Sequence, residues 1–425
     1  MQETVDKTEL SVPAFDVNYR SYAEVLEIAQ QSISMLQDDE TATRADVPER
    51  TLDLEQGVKV VTRGSTRAGD GDGGNDTLLY VINFKDNQGF SVVSACRQTD
   101  GLLAVVESGN YDPAVPTGNP GFDSFMTMAR LYVENESQTP IAEPQSGATR
   151  ASDHPLMCKP VCDTLFYEKV SPKISVKWGQ ERIMALHCPG QHFSGCASTA
   201  AAQVMSYFKY PNSLTLTYPE RDVDVTDLDW TEMCKNVSTS SSVRNEADLQ
   251  IARLARELGK RSNSVYYDDG TDTRIENIRS VLSALGYSVS KIRDMKRLSS
   301  GVFEDGDMYS MATALSRNEL IIMRGVNCYN EGHEWVIDGC YYVKARSRIM
   351  ATYDGETWEV YQEMYTHKTC HNHINWGWDG HYNGYFNGWV FDAREPLVSD
   401  SEYEFKRPTS EHSFTIGFRC FTITK

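Results

Sequence analysis

Ser194-Gly195-Cys196-Ala197-Ser198-Thr199-Ala200-Ala201-Ala202-Gln203-Val204-Met205 is the stretch that decides the fold. A glycine meets a cysteine, and a run of good helix formers follows that stops before Pro211, so a helix is expected to open at Cys196. Free backbone N–H groups and the positive end of the helix dipole stabilise a thiolate at such a position. Gly195 lets the backbone turn sharply into the helix and leaves room for a carbonyl to approach the sulfur.

A cysteine at a helix start is also a small buried apolar group, so its partners matter. Downstream, Gly332-His333-Glu334-Trp335-Val336-Ile337-Asp338-Gly339 brings a histidine into an apolar run that reads as a strand. The step from Cys196 to His333 is 137 residues, inside the range of about 130–150 found in papain-like enzymes. Asn375-Trp376-Gly377-Trp378-Asp379-Gly380 offers an amide to orient the imidazole and an indole to cover it. Upstream, Trp178-Gly179-Gln180 offers an amide donor for an oxyanion. Nucleophile, base, orienter and oxyanion donor are therefore expected in Cys196, His333, Asn375 and Gln180, with Trp376 beside the histidine.

At these motifs the sequence resembles the streptopain family of bacterial cysteine proteases, which are papain-like in fold. The resemblance spans roughly residue 155 to the C-terminus and includes Ala201-Ala202-Gln203-Val204-Met205, Tyr210-Pro211 and Gly384-Tyr385-Phe386. It implies that Cys196 is the nucleophile, His333 the general base, Gln180 the oxyanion donor and Trp376 the aromatic neighbour of the histidine. It also implies an exported bacterial enzyme, secreted or in the cell envelope, that acts on protein or peptide substrates. Three departures stand out: Ala197-Ser198 after the cysteine, Glu334 after the histidine in place of a small residue, and a long Cys340–His373 link. Glu334 brings extra negative charge to the site.

A chain of 425 residues exceeds one ordinary domain. Its formal net charge of −19 argues against a nucleic-acid or anionic-membrane partner. No apolar run reaches the eighteen or so residues of a transmembrane helix, and Met1-Gln2-Glu3-Thr4 does not open a signal peptide, which is expected to have been removed. Ten scattered cysteines, one reserved for chemistry, suggest a mostly reduced set.

Before the catalytic motifs, Ser21-Tyr22-Ala23-Glu24 is a capping box ahead of an amphipathic helix. Thr51–Val61 suggests a strand pair, Leu78–Phe84 and Phe90–Ser94 a hairpin, Leu102–Val106 a further strand, and Phe122–Val133 a second helix. Residues 1–150 thus form a small α+β domain. Tyr80–Phe84 and Gly89–Ala95 resemble the propeptides of the same family, which implies an inhibitory prodomain covering the cleft. Ser137–Asp153 reads as a linker, with Arg150 the expected cut.

Residues 151–425 are expected to form an α+β papain-like catalytic domain. Its helices start at Asn245, Thr273 and about Met308, the first ending at Gly259 and the second at Gly286. From Leu320 onward the pattern turns to strands, at 320–324, 333–337, 341–345, 358–361, 373–378 and 413–418.

No cofactor or metal is expected. Asp70, Asp72 and Asp76 lack the spacing of an EF-hand, and neither Cys158 with Cys162 nor the knot of His367, Cys370, His371 and His373 is followed by a matching ligand pair. His187 and His192 lack an Asn-Trp partner and rank behind His333 as base. The reading is an endopeptidase precursor. A catalytically silent binding or inhibitory protein, and an amidase or acyl transferase using the same triad, are the alternatives.

Overall fold

The computed structural model describes residues 19–37, 49–63, 76–137, 157–215, 225–295, 305–326, 332–352, 356–392 and 417–425. The loop at 64–75 with Asp70 and Asp72, the linker at 138–156 with Arg150, and residues 413–416 lie outside them.

The capping box opens helix α1 (Tyr22–Gln37): Ser21 N donates to Glu24 Oε2 at 2.8 Å and Glu24 N to Ser21 Oγ at 3.4 Å. Strands β1 (Val58–Thr62), β2 (Thr77–Asn83), β3 (Phe90–Ser94) and β4 (Leu102–Val106) form an antiparallel meander. The expected strand pair at 51–61 is a single strand, because Val58–Thr62 pairs with β2 and Leu52 reaches Phe84 only as an isolated bridge. Helix α2 (Pro120–Ser137) follows, with proline at its first position and Asn119 Oδ1 accepting from Phe122 N at 3.1 Å.

Strand β5 (Met157–Val170) leads to the helical half: α3 (Cys196–Phe208), the short pair β6 (Ser213–Thr215) and β7 (Val225–Asp227), α4 (Trp230–Lys235) and α5 (Glu246–Arg261). The hairpin of β8 (Val265–Tyr267) and β9 (Gly270–Asp272) precedes α6 (Ile275–Ala284). Asn245 caps α5 as expected, accepting from Asp248 N at 3.0 Å. Gly259 does not end that helix, which continues to Arg261. Its missing side chain has another cause: a Cβ there would lie 2.0 Å from Tyr266 Oη. Gly286, at φ +96°, does close α6.

The remaining elements are β10 (Ser288–Val289), β11 (Arg293–Asp294), α7 (Asp305–Ser316), β12 (Leu320–Val326), β13 (Gly332–Thr352), β14 (Glu359–Asn375), β15 (Gly384–Asn387) and β16 (Gly417–Thr424). The pieces expected at 333–337 and 341–345 are one strand, as are those at 358–361 and the start of 373–378. They merge because β13 and β14 pair over nearly their whole length, with β5 flanking β13 from Cys340 to Thr352. The long link is therefore a sheet extension.

One twelve-stranded sheet runs β1-β2-β3-β4-β15-β14-β13-β12-β16-β10, with β5 added on β13 and β11 on β16. The meander and the C-terminal strands share it because β4 pairs with β15, Val106 opposite Gly384 and Ala104 opposite Phe386. Alternate residues of the sheet serve two cores. Ile321, Met323, Trp335 and Ile337 pack with α2 and α7, whereas Leu320, Ile322 and Val336 pack against α3, α5 and α6.

Candidate active site

Gly195, at φ +89°, turns the chain into α3 and puts Cys196 at its first residue. A Cβ on Gly195 would come within 3.0 Å of Thr271 Cγ2, so β9 closes over this turn. The approach to Cys196 is braced from behind, where Gln180 O accepts from Ser194 N at 3.0 Å. That contact brings Gln180 to the turn before the sulfur. Gly179 N donates to Thr239 Oγ1 at 2.8 Å, and a Cβ on Gly179 would lie 2.2 Å from Asp379 Oδ2. Asp379 Oδ1 accepts from Thr239 N at 2.7 Å and from Ser238 Oγ at 2.9 Å. One carboxylate thus fixes the loop carrying Gln180 to the Asn-Trp loop.

The sulfur faces β13. The backbone amides of Ala197 and Glu334 are directed to it, and both favour the thiolate. Burial nevertheless pushes the thiol up to about 11, with the charge of Glu334 adding to the shift and Arg324 opposing it. His333, the residue before Glu334 on β13, shares a strand face with Trp335, the face against which α2 packs. The imidazole lies roughly parallel to the indoles of Trp376, at 6.4 Å and 28°, and Trp335, at 6.1 Å and 26°. Its Nε2 meets Trp376 O at 3.1 Å, and no hydrogen bond joins it to the sulfur. Burial pushes it down to about 4, the Trp376 carbonyl opposing and Arg324 reinforcing the shift. Both groups are therefore neutral around pH 7 in this form.

What covers the histidine comes from the N-terminal part of the chain. A Cβ on Gly121, at the start of α2, would lie 2.5 Å from Trp376 Cε3 and 2.7 Å from His333 Cδ2. Asn119 ties the same helix start to the Asn-Trp loop, its Nδ2 donating to His381 O at 3.2 Å. A second anchor sits at the end of β4. Glu107 Oε1 meets His373 Nε2 at 2.9 Å, His373 Nδ1 meets Asp338 Oδ1 at 2.5 Å, and Lys177 Nζ donates to Glu107 Oε2 at 3.1 Å. Burial opposes the charge on His373, but Asp338 and Glu107 push it up to about 10. Burial also opposes charge on Glu107, yet His373 and Lys177 hold it well below the carboxylate range.

The hydrogen bonds of Asn375 go to groups other than the imidazole. Its Oδ1 accepts from Gln203 Nε2 at 3.1 Å and from Gly377 N at 3.2 Å, and its Nδ2 donates to Val176 O at 3.0 Å. Gln203 also donates to Trp178 O at 2.8 Å, so Asn375 and Gln203 together lock the three motifs. His187 is half-buried near Arg253, and His192 Nε2 stands 3.5 Å from Asp268 Oδ1. His371 Nε2 meets Leu102 O at 2.9 Å, and among the described residues no group of three His, Cys, Asp or Glu side chains is arranged to hold a metal ion.

The residues that sequence reasoning passed over are Gly121, Asp379, Gln203, and the Glu107–His373–Asp338 network. Gln203 and Asp379 sat inside the quoted motifs, but helix and loop spacing alone gives no sign of what their side chains reach. Glu334 was noted only as extra charge; it pairs across the strands with Arg324, Nη1 to Oε1 at 3.0 Å.

The Peptidase C10 family model matches residues 178–386, the span from Trp178 to Phe386 that carries all five candidate side chains. Streptopain from Streptococcus pyogenes serotype M1 is 24% identical over 344 residues, 75% of either chain. The thiol protease/hemagglutinin PrtT of Porphyromonas gingivalis is 24% identical over 329 residues, 73% of this chain and 34% of that protein. In fold, the chain resembles a fragment of Prevotella intermedia prointerpain A, with a TM-score of 0.53 at 20% identity, over 86% of this chain and 98% of that one. Among the described residues no helix is long and apolar enough to cross a membrane.

Proposed function

We propose, from the chain's membership of the C10 family of cysteine peptidases, that it is the latent precursor of an exported endopeptidase whose nucleophile is Cys196 and whose base is His333. In the active form the imidazole swings off Trp376 to the sulfur and takes its proton, giving a thiolate–imidazolium pair. The thiolate adds to the scissile carbonyl, and the oxyanion is held by the Gln180 amide and the backbone N–H of Cys196. Collapse expels the amine, which takes the proton from His333, and leaves an acyl-enzyme. Water, deprotonated by the same imidazole, then releases the acid. Trp376 shields the pair, and Asn375 acts through the scaffold it locks.

The observation that supports the latency reading is the seat of α2: Gly121 abuts both His333 and Trp376, and the imidazole Nε2 is engaged by the Trp376 carbonyl at 3.1 Å. Residues 1–150 would then act as an intramolecular inhibitor, released by a cut within 138–156. Export is part of this proposal and rests on the streptopain likeness.

The test compares uncut chain with chain cut within 138–156, using a cysteine-directed epoxide and a casein digest. The expected result is labelling of Cys196 and new backbone termini only after cutting, both lost in Cys196→Ala. A cut chain that takes no label would favour a silent binding protein, and labelling with an intact casein backbone would favour acyl transfer.

A further inference from the structure

Glu334 and His333 are chain neighbours on opposite faces of β13, and Glu334 reaches Cys196 through both its backbone amide and its charge. Arg324 and Glu334 are cross-strand partners on β12 and β13, which is why their side chains meet at 3.0 Å. The guanidinium also donates to Thr273 O at 2.9 Å and lies 3.9 Å from Asp272 Oδ1. Thr271, next along, abuts Gly195. The Gly195 turn, the end of β9, Arg324 and Glu334 therefore ring one corner beside the nucleophile.

The polar groups of that corner do not balance. Glu334 is 1% exposed and only Oε1 has a partner; Oε2 is buried with none. A carboxylate oxygen buried without a donor is costly, and such an atom persists where something else supplies the donor. Arg324 faces two acidic side chains, Glu334 at 3.0 Å and the exposed Asp272 at 3.9 Å, and burial pushes Glu334 up to about 7, with Arg324 opposing and Asp272 and Glu276 adding to the shift, so the corner favours an added positive charge. A bulky apolar side chain would bury this ion pair further and leave Oε2 unsatisfied, whereas an ammonium or guanidinium would satisfy both deficits.

We propose that Glu334 is a specificity-determining residue, whose unpartnered carboxylate oxygen receives the cationic side chain of a lysine or arginine docked next to the scissile bond. This rests on Cys196 being the nucleophile. It gives the departure at position 334 a chemical meaning: a carboxylate stands where a small residue is expected, and it favours a basic side chain there.

The experiment uses the full chain cut within 138–156 and internally quenched peptides in which Lys, Arg, Gln, Leu or Glu is placed in turn at the three positions before the cleaved bond. At one position Lys or Arg should exceed Leu and Glu in kcat/KM by about tenfold, and Glu334→Gln should bring that ratio close to one. A preference for Leu at every position, or a basic preference that survives Glu334→Gln, overturns the proposal. Should the variant not fold, the wild-type ranking decides. Epoxide labelling of Cys196 is read in the same samples. A labelled, peptide-cleaving enzyme indifferent to Lys and Arg overturns only this proposal; an unlabelled, inactive one overturns the Cys196 reading along with it.

Discussion

At the scale of single residues, the latency proposed for the uncut chain comes down to one missing methyl group. Gly121 has no side chain where a Cβ would collide with His333 and Trp376. Gly121→Ala should lift the start of α2, and the uncut chain should show measurable peptide cleavage where the parent shows none. The overpacking is expected to cost about 1–3 kcal/mol of stability, read as an earlier urea midpoint. On the oxyanion side, Gln180→Ala should lower kcat of the cut enzyme by about 10²–10³-fold while epoxide labelling of Cys196 persists. The sequence pointed to Cys196, His333, Gln180 and Trp376 because the proposed chemistry demands those residue types in that order, and the structure sets His333 beside Trp376 and Gln180 at the turn before Cys196. The use of Asn375 was not legible. A side-chain amide beside a tryptophan suggests an orienter, and only the folded chain shows Gln203, Gly377 and Val176 using up its hydrogen bonds.

Among elements, the β4–β15 pairing is what joins the N-terminal meander to the catalytic half. It relies on close approach at Gly384, where a Cβ would sit 2.2 Å from Val105 O. Gly384→Ala should therefore lower the melting temperature of the uncut chain and raise its leak activity. After cutting and separation, β15 no longer faces β4, so the same substitution should leave the melting temperature of the C-terminal piece nearly unchanged. Individual strands of the meander and helices α1, α3 and α5 were readable from alternation, 3.6-residue periodicity and caps. That one sheet would run through both parts was not, because pairing partners across nearly 300 residues leave no periodic trace. The same reason hid the union of the 333–337 and 341–345 pieces and the existence of β5, whose run from Met157 to Val170 has charged and proline residues set among its apolar ones.

For the whole molecule, the Glu107–His373–Asp338 network gives the uncut chain a pH signature. His373 is raised to about 10, so its contribution is complete below the ordinary histidine value and is lost as pH climbs toward 10. Glu107 is depressed, so its contribution is complete above the ordinary glutamate value and is lost only in strong acid. The stabilisation should peak between about pH 4.5 and 6.5 and decline into alkali, and Glu107→Gln should flatten that decline in denaturant melts. The central claim is that the N-terminal part keeps sulfur and imidazole separate and neutral until it is removed. Its most direct test is the pH dependence of Cys196 alkylation, read on the isolated Cys196 peptide before and after cutting within 138–156. The account predicts that the uncut chain reacts slowly at neutral pH and faster up to about pH 11, where burial has pushed the thiol. The cut chain should react rapidly down into mild acid, as a thiolate–imidazolium pair does. Superimposable profiles for the two forms would contradict it.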